Sequence, residues 1–179
     1  MAGKSAFQED LARYGGRVPW GDRALWSIGV YRLGRAILGI QNGVIRRLLL
    51  LPFLVFARWI ETVNKIGLPA FAQIGGGLRI TRCGMIFIHA DTVIGRGCTL
   101  SQGVTIGNST MDGPAPIVGD DVEFGAYAQV LGGIRIGDGA KIASMAVVLA
   151  DVPPKGFAIG IPAKVLTGSD AVAARSAAL

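Results

Sequence analysis

The chain has a single histidine, two cysteines and only 7% aromatic residues in 179 positions. One histidine rules out a histidine-rich metal centre and leaves one ordinary side chain, His89, for acid–base work near neutral pH. Cys83 and Cys98 are too few for a disulfide scaffold. Nothing at the start reads as a signal peptide, so a reducing, cytoplasmic location is expected. Charged residues are scarce at 17% against 51% hydrophobic, which excludes a disordered chain. The apolar run at 48–57 is about half of the roughly 20 residues that a membrane-spanning helix needs, and it contains Pro52.

Acidic residues are short in one place only. Up to Ile66 there are ten basic residues (Lys4, Arg13, Arg17, Arg23, Arg32, Arg35, Arg46, Arg47, Arg58, Lys65) against Glu9, Asp10, Asp22 and Glu61. This segment carries the whole net charge of +6, because the remainder balances. No nucleic-acid-binding motif accompanies the charge, so nucleic acid is not an expected partner.

The basic third reads as helical, with Asp22 capping a segment through Trp26, Val30, Tyr31, Leu33 and Ile37. Asn42-Gly43 interrupts it, and a second helix runs from near Val44 to a stop at Gly67-Leu68-Pro69. Arg46, Arg47, Arg58 and Lys65 flank its apolar run. Burial in an oligomer, with a kink at Pro52, is the simpler expectation; an interfacial helix making peripheral membrane contact through 44–66 is the alternative.

What the chain does have is glycine, 27 residues of it without a Gly-X-Y period. Beyond Gly67 an apolar residue recurs every six positions: Ile74 and Ile80, then Ile88, Ile94, Leu100 and Ile106, then Val118, Phe124, Val130, Ile136, Ile142 and Val148. A period of six fits neither a helix nor an amphipathic strand. It fits a mainly β solenoid in which each hexad is one side of a triangular coil and the apolar residue points inward. The core of such a coil is narrow and aliphatic, which accounts for the few aromatics. Two register breaks stand out: two extra residues between Ile80 and Ile88, and an excursion from Asn108 to Ala115. Irregular insertions in a regular solenoid are where function is expected.

Three motifs, Ile74-Gly75-Gly76-Gly77-Leu78-Arg79-Ile80, Gly84-Met85-Ile86-Phe87-Ile88-His89 and Gln102-Gly103-Val104-Thr105-Ile106-Gly107, resemble those of the hexapeptide-repeat acyltransferases. Within them the serine acetyltransferase-like group is the nearest in pattern. The ending Val152-Pro153-Pro154 with Gly160-Ile161-Pro162-Ala163-Lys164-Val165 is similar too. The resemblance implies a left-handed parallel β-helix over 67–166, after an N-terminal helical segment at 1–66 and before a tail at 167–179. It also implies a homotrimer with acetyl-CoA, the acyl donor, in a groove between neighbouring β-helices. Gly107, Gly125, Ala126 and Ser144 would line that groove, Lys141 would lie near the cofactor, and Arg135 or Lys164 would meet its phosphates. The acetyl group would pass to a hydroxyl of serine, or of a sugar or glycolipid.

The sequence departs from this pattern at two positions. Serine acetyltransferases place a catalytic histidine where this chain has Arg82, and a second before the proline that ends the loop, here Ala115 before Pro116. An arginine stays protonated and cannot serve as base, although it can hold an anion or an oxyanion. The expected catalytic set is therefore His89 as base, near Arg82, with Asp91 or Asp112 orienting it. An Ile-His pair opening a coil is also a structural feature of the family. Cys83, beside Arg82, is a further nucleophile candidate. The leading expectation is an acetyl-CoA-dependent O-acetyltransferase acting on a sugar or glycolipid hydroxyl in surface-polysaccharide biosynthesis, at the inner face of the membrane. The alternatives are a divergent serine O-acetyltransferase, a membrane-surface scaffold, and a catalytically silent trimer binding acetyl-CoA or a partner protein. Family members dock a partner through a C-terminal tail ending in isoleucine, whereas this chain ends Ala177-Ala178-Leu179.

Overall fold

The computed structural model describes residues 5–15, 21–110, 112–168 and 170–171. Lys4, Arg17, Met111 and the ending Ala177-Ala178-Leu179 lie outside the described residues. Helix α1 (Ala6–Arg13) starts at a Ser5 capping box, α2 (Arg23–Leu38) at Asp22, and α3 (Gly43–Asn64) at Asn42. Asp22 accepts a hydrogen bond from Ala24 N–H at 2.9 Å, and Asn42 accepts from Val44 and Ile45 N–H at 3.1 and 3.3 Å. Each cap satisfies donors that the first helical turn leaves unpaired.

The face that α2 buries differs from the stripe expected. Ala24, Ile28, Tyr31 and Ile37 are buried, but Trp26 and Leu33 are 43% and 52% exposed. The reason lies at Gly34, where a Cβ would stand 2.6 Å from the Phe53 ring of α3. The bare glycine lets the two helices touch there, and that contact rotates Leu33 outward.

Three short strands make one coil. The first is β1 (Ile66–Gly67), β2 (Gln73–Ile74) and β3 (Arg79–Ile80); the second is β4 (Ile86–Ile88), β5 (Val93–Ile94) and β6 (Thr99–Leu100). The third is β7 (Thr105–Gly107), β8 (Ile117–Val118) and β9 (Glu123–Phe124); the fourth is β10 (Gln129–Leu131), β11 (Arg135–Ile136) and β12 (Lys141–Ile142). Strands β13 (Val147–Val148), β14 (Phe157–Ile159) and β15 (Lys164–Leu166) finish the stack. Equivalent strands pair in parallel to give three faces: a first face β1-β4-β7-β10-β13, a second face β2-β5-β8-β11, and a third face β3-β6-β9-β12-β14 closed by antiparallel β15. All twelve apolar residues of the six-residue series are buried in one core, stacked coil on coil.

The helices cap the open end of this stack. The first coil has no strand above β2 and β3, so its backbone groups need other partners. Side chains supply them. The Tyr31 hydroxyl donates to Ala72 O at 2.8 Å and accepts from Ile74 N–H at 3.0 Å. Tyr14 does the same at Ile80, accepting from its N–H at 2.8 Å and donating to its carbonyl at 3.1 Å. Buried Asp10 accepts from Leu78 N–H at 2.8 Å and pairs with Arg32, which donates to Ile74 O and Gly75 O. A buried carboxylate is tolerable here because a cation and an amide both satisfy it.

Candidate functional site

Both register breaks sit at corners flanking the first face. Residues Thr81 to Met85 form the corner between β3 and β4, with Gly84 and Met85 at positive φ of 124° and 52°. Successive coils stack Thr81, Ser101, Gly125 and Ala143 at that corner through backbone hydrogen bonds. One residue further on, Arg82 heads a column continued by Gln102, Ala126 and Ser144. The spacing from Ala126 to Ser144 is eighteen residues, one regular coil, but it is 24 from Gln102 to Ala126 because the excursion lengthens that coil, so a fixed coil spacing does not point to Gln102. Arg82 is exposed and forms no ion pair among the described residues.

Gly125 has a structural reason to be small, since a Cβ there would collide with the Ser144 backbone below it. Lys141 and Lys164 both lie on the third face, reached from this corner. Lys141 Nζ pairs with Glu123 at 2.7 Å, and Lys164 is on the closing strand β15, opposite Ile159. Arg135 lies on the second face, away from this column, with its N–H donating to Asp151 at 2.8 Å.

The other corner follows the first face. His89 comes directly after β4 and stacks over Gly107, whose added Cβ would meet the His89 Cβ at an ordinary 3.5 Å. The Asn108–Ala115 excursion leaves from this same corner and packs down on the next coil, where Ser109 and Pro114 lie against Gly132 and Gly133. Asp112 on that excursion is exposed and makes no ion pair among the described residues. The carboxylate beside His89 is Asp91, with Oδ2 3.8 Å from Nδ1; Asp91 N–H donates to the same nitrogen at 3.3 Å.

The expected catalytic residues are thus not all gathered in one chain. His89, Gly107 and the loop bearing Asp112 share one corner; Arg82, Gly125, Ala126 and Ser144 share the other. Strand β4 lies between His89 and Arg82, and three strand residues span about 10 Å. The two side chains therefore stand at opposite ends of a strand, not side by side. Cys83 also departs from its expected role: partial burial and Asp22, 4.0 Å from Sγ, push the thiol pKa up, the reverse of what a nucleophile needs. Buried Cys98 is pushed to about 11 by its burial and donates to Gly119 O at 3.3 Å.

Beside His89 lies a feature with no signal in the six-residue pattern or the motifs. A cavity of 390 Å³ opens between α3 and the first coil, with Leu50, Leu54, Phe71 and Phe87 among its walls and His89 at its lining. Its surface is mainly apolar because it is built where the apolar helix meets two coil corners.

Comparison with known proteins decides the family. Residues 115–150 match the family model described as bacterial transferase hexapeptide (six repeats). The serine acetyltransferase of Mycobacterium tuberculosis is 32% identical over 152 residues, 82% of this chain and 58% of that protein. The crystal structure of Neisseria gonorrhoeae serine acetyltransferase in complex with serine is 30% identical, with a TM-score of 0.74, over 90% of this chain and 68% of that one. The chain belongs to the hexapeptide-repeat acyltransferases, in their serine acetyltransferase-like group. A serine acetyltransferase solved in complex with CoA is also similar, at 28% identity and TM-score 0.76, over 90% of this chain and 68% of that one. The coil architecture of this hexapeptide-repeat chain matches the left-handed β-helix expected from its motifs. It spans about half the length of the curated relatives it matches. Among the described residues, no helix is long and apolar enough to cross a membrane.

Proposed function

We propose that this chain is an acetyl-CoA-dependent O-acetyltransferase working as a homotrimer. The observation that carries the reading is the column of small side chains at the corner of Gly125, Ala126 and Ser144, where a long thin donor can lie against backbone. A relative in the same group has been solved with CoA, which supports the same donor here. In a homotrimer, a groove between neighbouring β-helices is flanked by different corners of two protomers. The Arg82 column of one and the His89 corner of the next can then serve one site, although β4 separates them within a chain. Lys141 or Lys164 on the third face suits the donor phosphates better than Arg135 on the second.

In this reading His89 takes the proton of the acceptor hydroxyl as its oxygen attacks the thioester carbonyl carbon. The C–S bond breaks, and the proton passes on to the CoA sulfur. Arg82 stabilises the oxyanion that forms on the carbonyl oxygen. The proposed acceptor is a sugar or glycolipid hydroxyl, as in surface-polysaccharide assembly, because Arg82 and Ala115 stand where serine enzymes of the resembling group carry histidines. Peripheral membrane contact belongs to the same reading. Its support is the outward side of α3, which exposes Leu48, Leu51, Val55 and Trp59 beside Arg47 and Arg58.

A second reading, free serine as acceptor, is favoured by the relatives: one is named serine acetyltransferase and another is solved with serine bound. Release of CoA thiol from acetyl-CoA, measured with serine, simple glycosides and glycolipids, separates these readings. The proposal expects faster release with glycosides or glycolipids than with serine. A higher rate with serine would transfer the chain to the divergent serine enzymes, and acetyl-CoA binding without turnover of any acceptor would make it a silent homologue.

A further inference from the structure

The cavity between α3 and the first coil has walls and a polar fringe of different kinds. Leu50, Phe53, Leu54 and Ala57 of α3 face Leu68, Phe71 and Phe87 across it. The polar side chains in its lining are mostly engaged elsewhere. Ser27 donates to Arg23 O, the Tyr31 hydroxyl serves Ala72 and Ile74, and Arg58 pairs with Glu61 at 3.3 Å. His89 differs: among the described residues its ring is held only by Asp91, through Nδ1, and its other edge has no partner there. A molecule lying here meets hydrocarbon along its length and one imidazole at the fringe. That combination fits a hydroxyl carried on an apolar stem.

We infer that this cavity binds the hydrocarbon part of an amphiphilic acceptor and brings its hydroxyl to His89. The inference rests on the proposed acetyl transfer for the meaning of His89, while the binding of an alkyl chain stands without it. The cavity's 390 Å³ lies within the size range of small-molecule sites, and apolar lining with one or two polar groups is their usual composition. The cavity borders the exposed apolar side of α3, so an acceptor anchored in a bilayer would reach it without first leaving an apolar medium. Free serine has no stem to fill it.

The test is calorimetric titration of the full chain with methyl, butyl and octyl β-glucoside, the last kept below micelle formation. Affinity should rise with chain length by up to about fourfold per methylene buried, then level off when the cavity is full. Ala57→Trp, which fills the cavity, should flatten the series while circular dichroism stays unchanged. Leu54→Gln, at a partly exposed wall position, should weaken octyl glucoside several-fold if the tryptophan variant does not fold. The pair Leu48→Ser and Val55→Ser, on the outward side of α3, should leave the series intact. A flat series in the wild type overturns the inference. So does a series flattened by the Leu48/Val55 pair and not by the cavity variants, since that puts the chain on the helix surface. A preserved chain-length series with no acetyl transfer to any acceptor overturns the proposed activity instead, and leaves the cavity as an alkyl-binding site.

Discussion

His89 has two local partners that call for opposite tautomers. Asp91 N–H donates to Nδ1, which puts the ring proton on Nε2; the Asp91 carboxylate, 3.8 Å away, would take that proton on Nδ1 and free Nε2 as a base. Asp91 is well exposed, so its hold on the ring is modest. Asp91→Asn should lower kcat up to about tenfold with little change in KM, if it acts through the imidazole it contacts and not on a substrate. Equal loss in both parameters would assign Asp91 to substrate binding.

Two buried hydroxyls, Tyr31 on α2 and Thr92 just before β5, make opposite predictions. Tyr31 satisfies an amide and a carbonyl at the open end of the stack, so Tyr31→Phe should cost about 1–3 kcal/mol in urea denaturation. Thr92 Oγ1 is buried without a hydrogen-bond partner among the described residues, so Thr92→Val should be neutral or stabilising by about 1 kcal/mol. The tyrosines also set an alkaline limit. Burial raises the Tyr14 pKa to about 12 from an ordinary 10.0 and raises that of Tyr31. The folded chain therefore holds protons that the unfolded chain loses first. The stabilisation from Tyr14 is complete below pH 10 and disappears as pH rises to about 12, and Tyr14→Phe should remove that part of the alkaline melting profile. None of these contacts was legible in the sequence. Tyr14 and Tyr31 bond to backbone 66 and 41 residues away, and such pairings leave no local pattern.

At the scale of elements, strands and helices differed in how openly they could be read. A coil strand has one inward position per hexad, and stacking in successive coils repeats that requirement, so Ile88, Ile106, Val130 and Val148 announce themselves. The N-caps were readable too, because Asp22 acts on residues two positions away. The buried face of α2 was not, because it depends on where another helix lands. Gly34 decides that, and glycine carries no hydrophobic signal. Gly34→Val should lower the melting temperature more than Asn42→Ala, whose lost cap is worth about 1 kcal/mol. A valine at Gly34 must push Phe53 away and separate α2 from α3. If the two variants melt alike, the close approach at Gly34 does not hold the helices together.

The molecule as a whole is a rod of stacked coils capped by helices at its first coil and by an antiparallel strand on its third face. Its two irregular corners lie on either side of the first face. The register breaks show as lost periodicity, but nothing in the six-residue series marks that β4 puts Arg82 and His89 at different corners. Three 18.6 kDa chains sharing grooves would bring the corners within reach of each other, and light scattering should then report about 56 kDa. Mixed trimers of Arg82→Ala and His89→Ala chains should regain part of the activity that each variant lacks alone, because some grooves receive both wild-type corners.

The most direct test of the central claim is acceptor-dependent CoA release by His89→Ala beside the wild type. General base catalysis by a positioned histidine contributes about 10²–10⁴-fold, so kcat should fall at least about a hundredfold while acetyl-CoA KM and the melting temperature hold. Full turnover by His89→Ala would contradict the account and return His89 to a structural place at the opening of a coil.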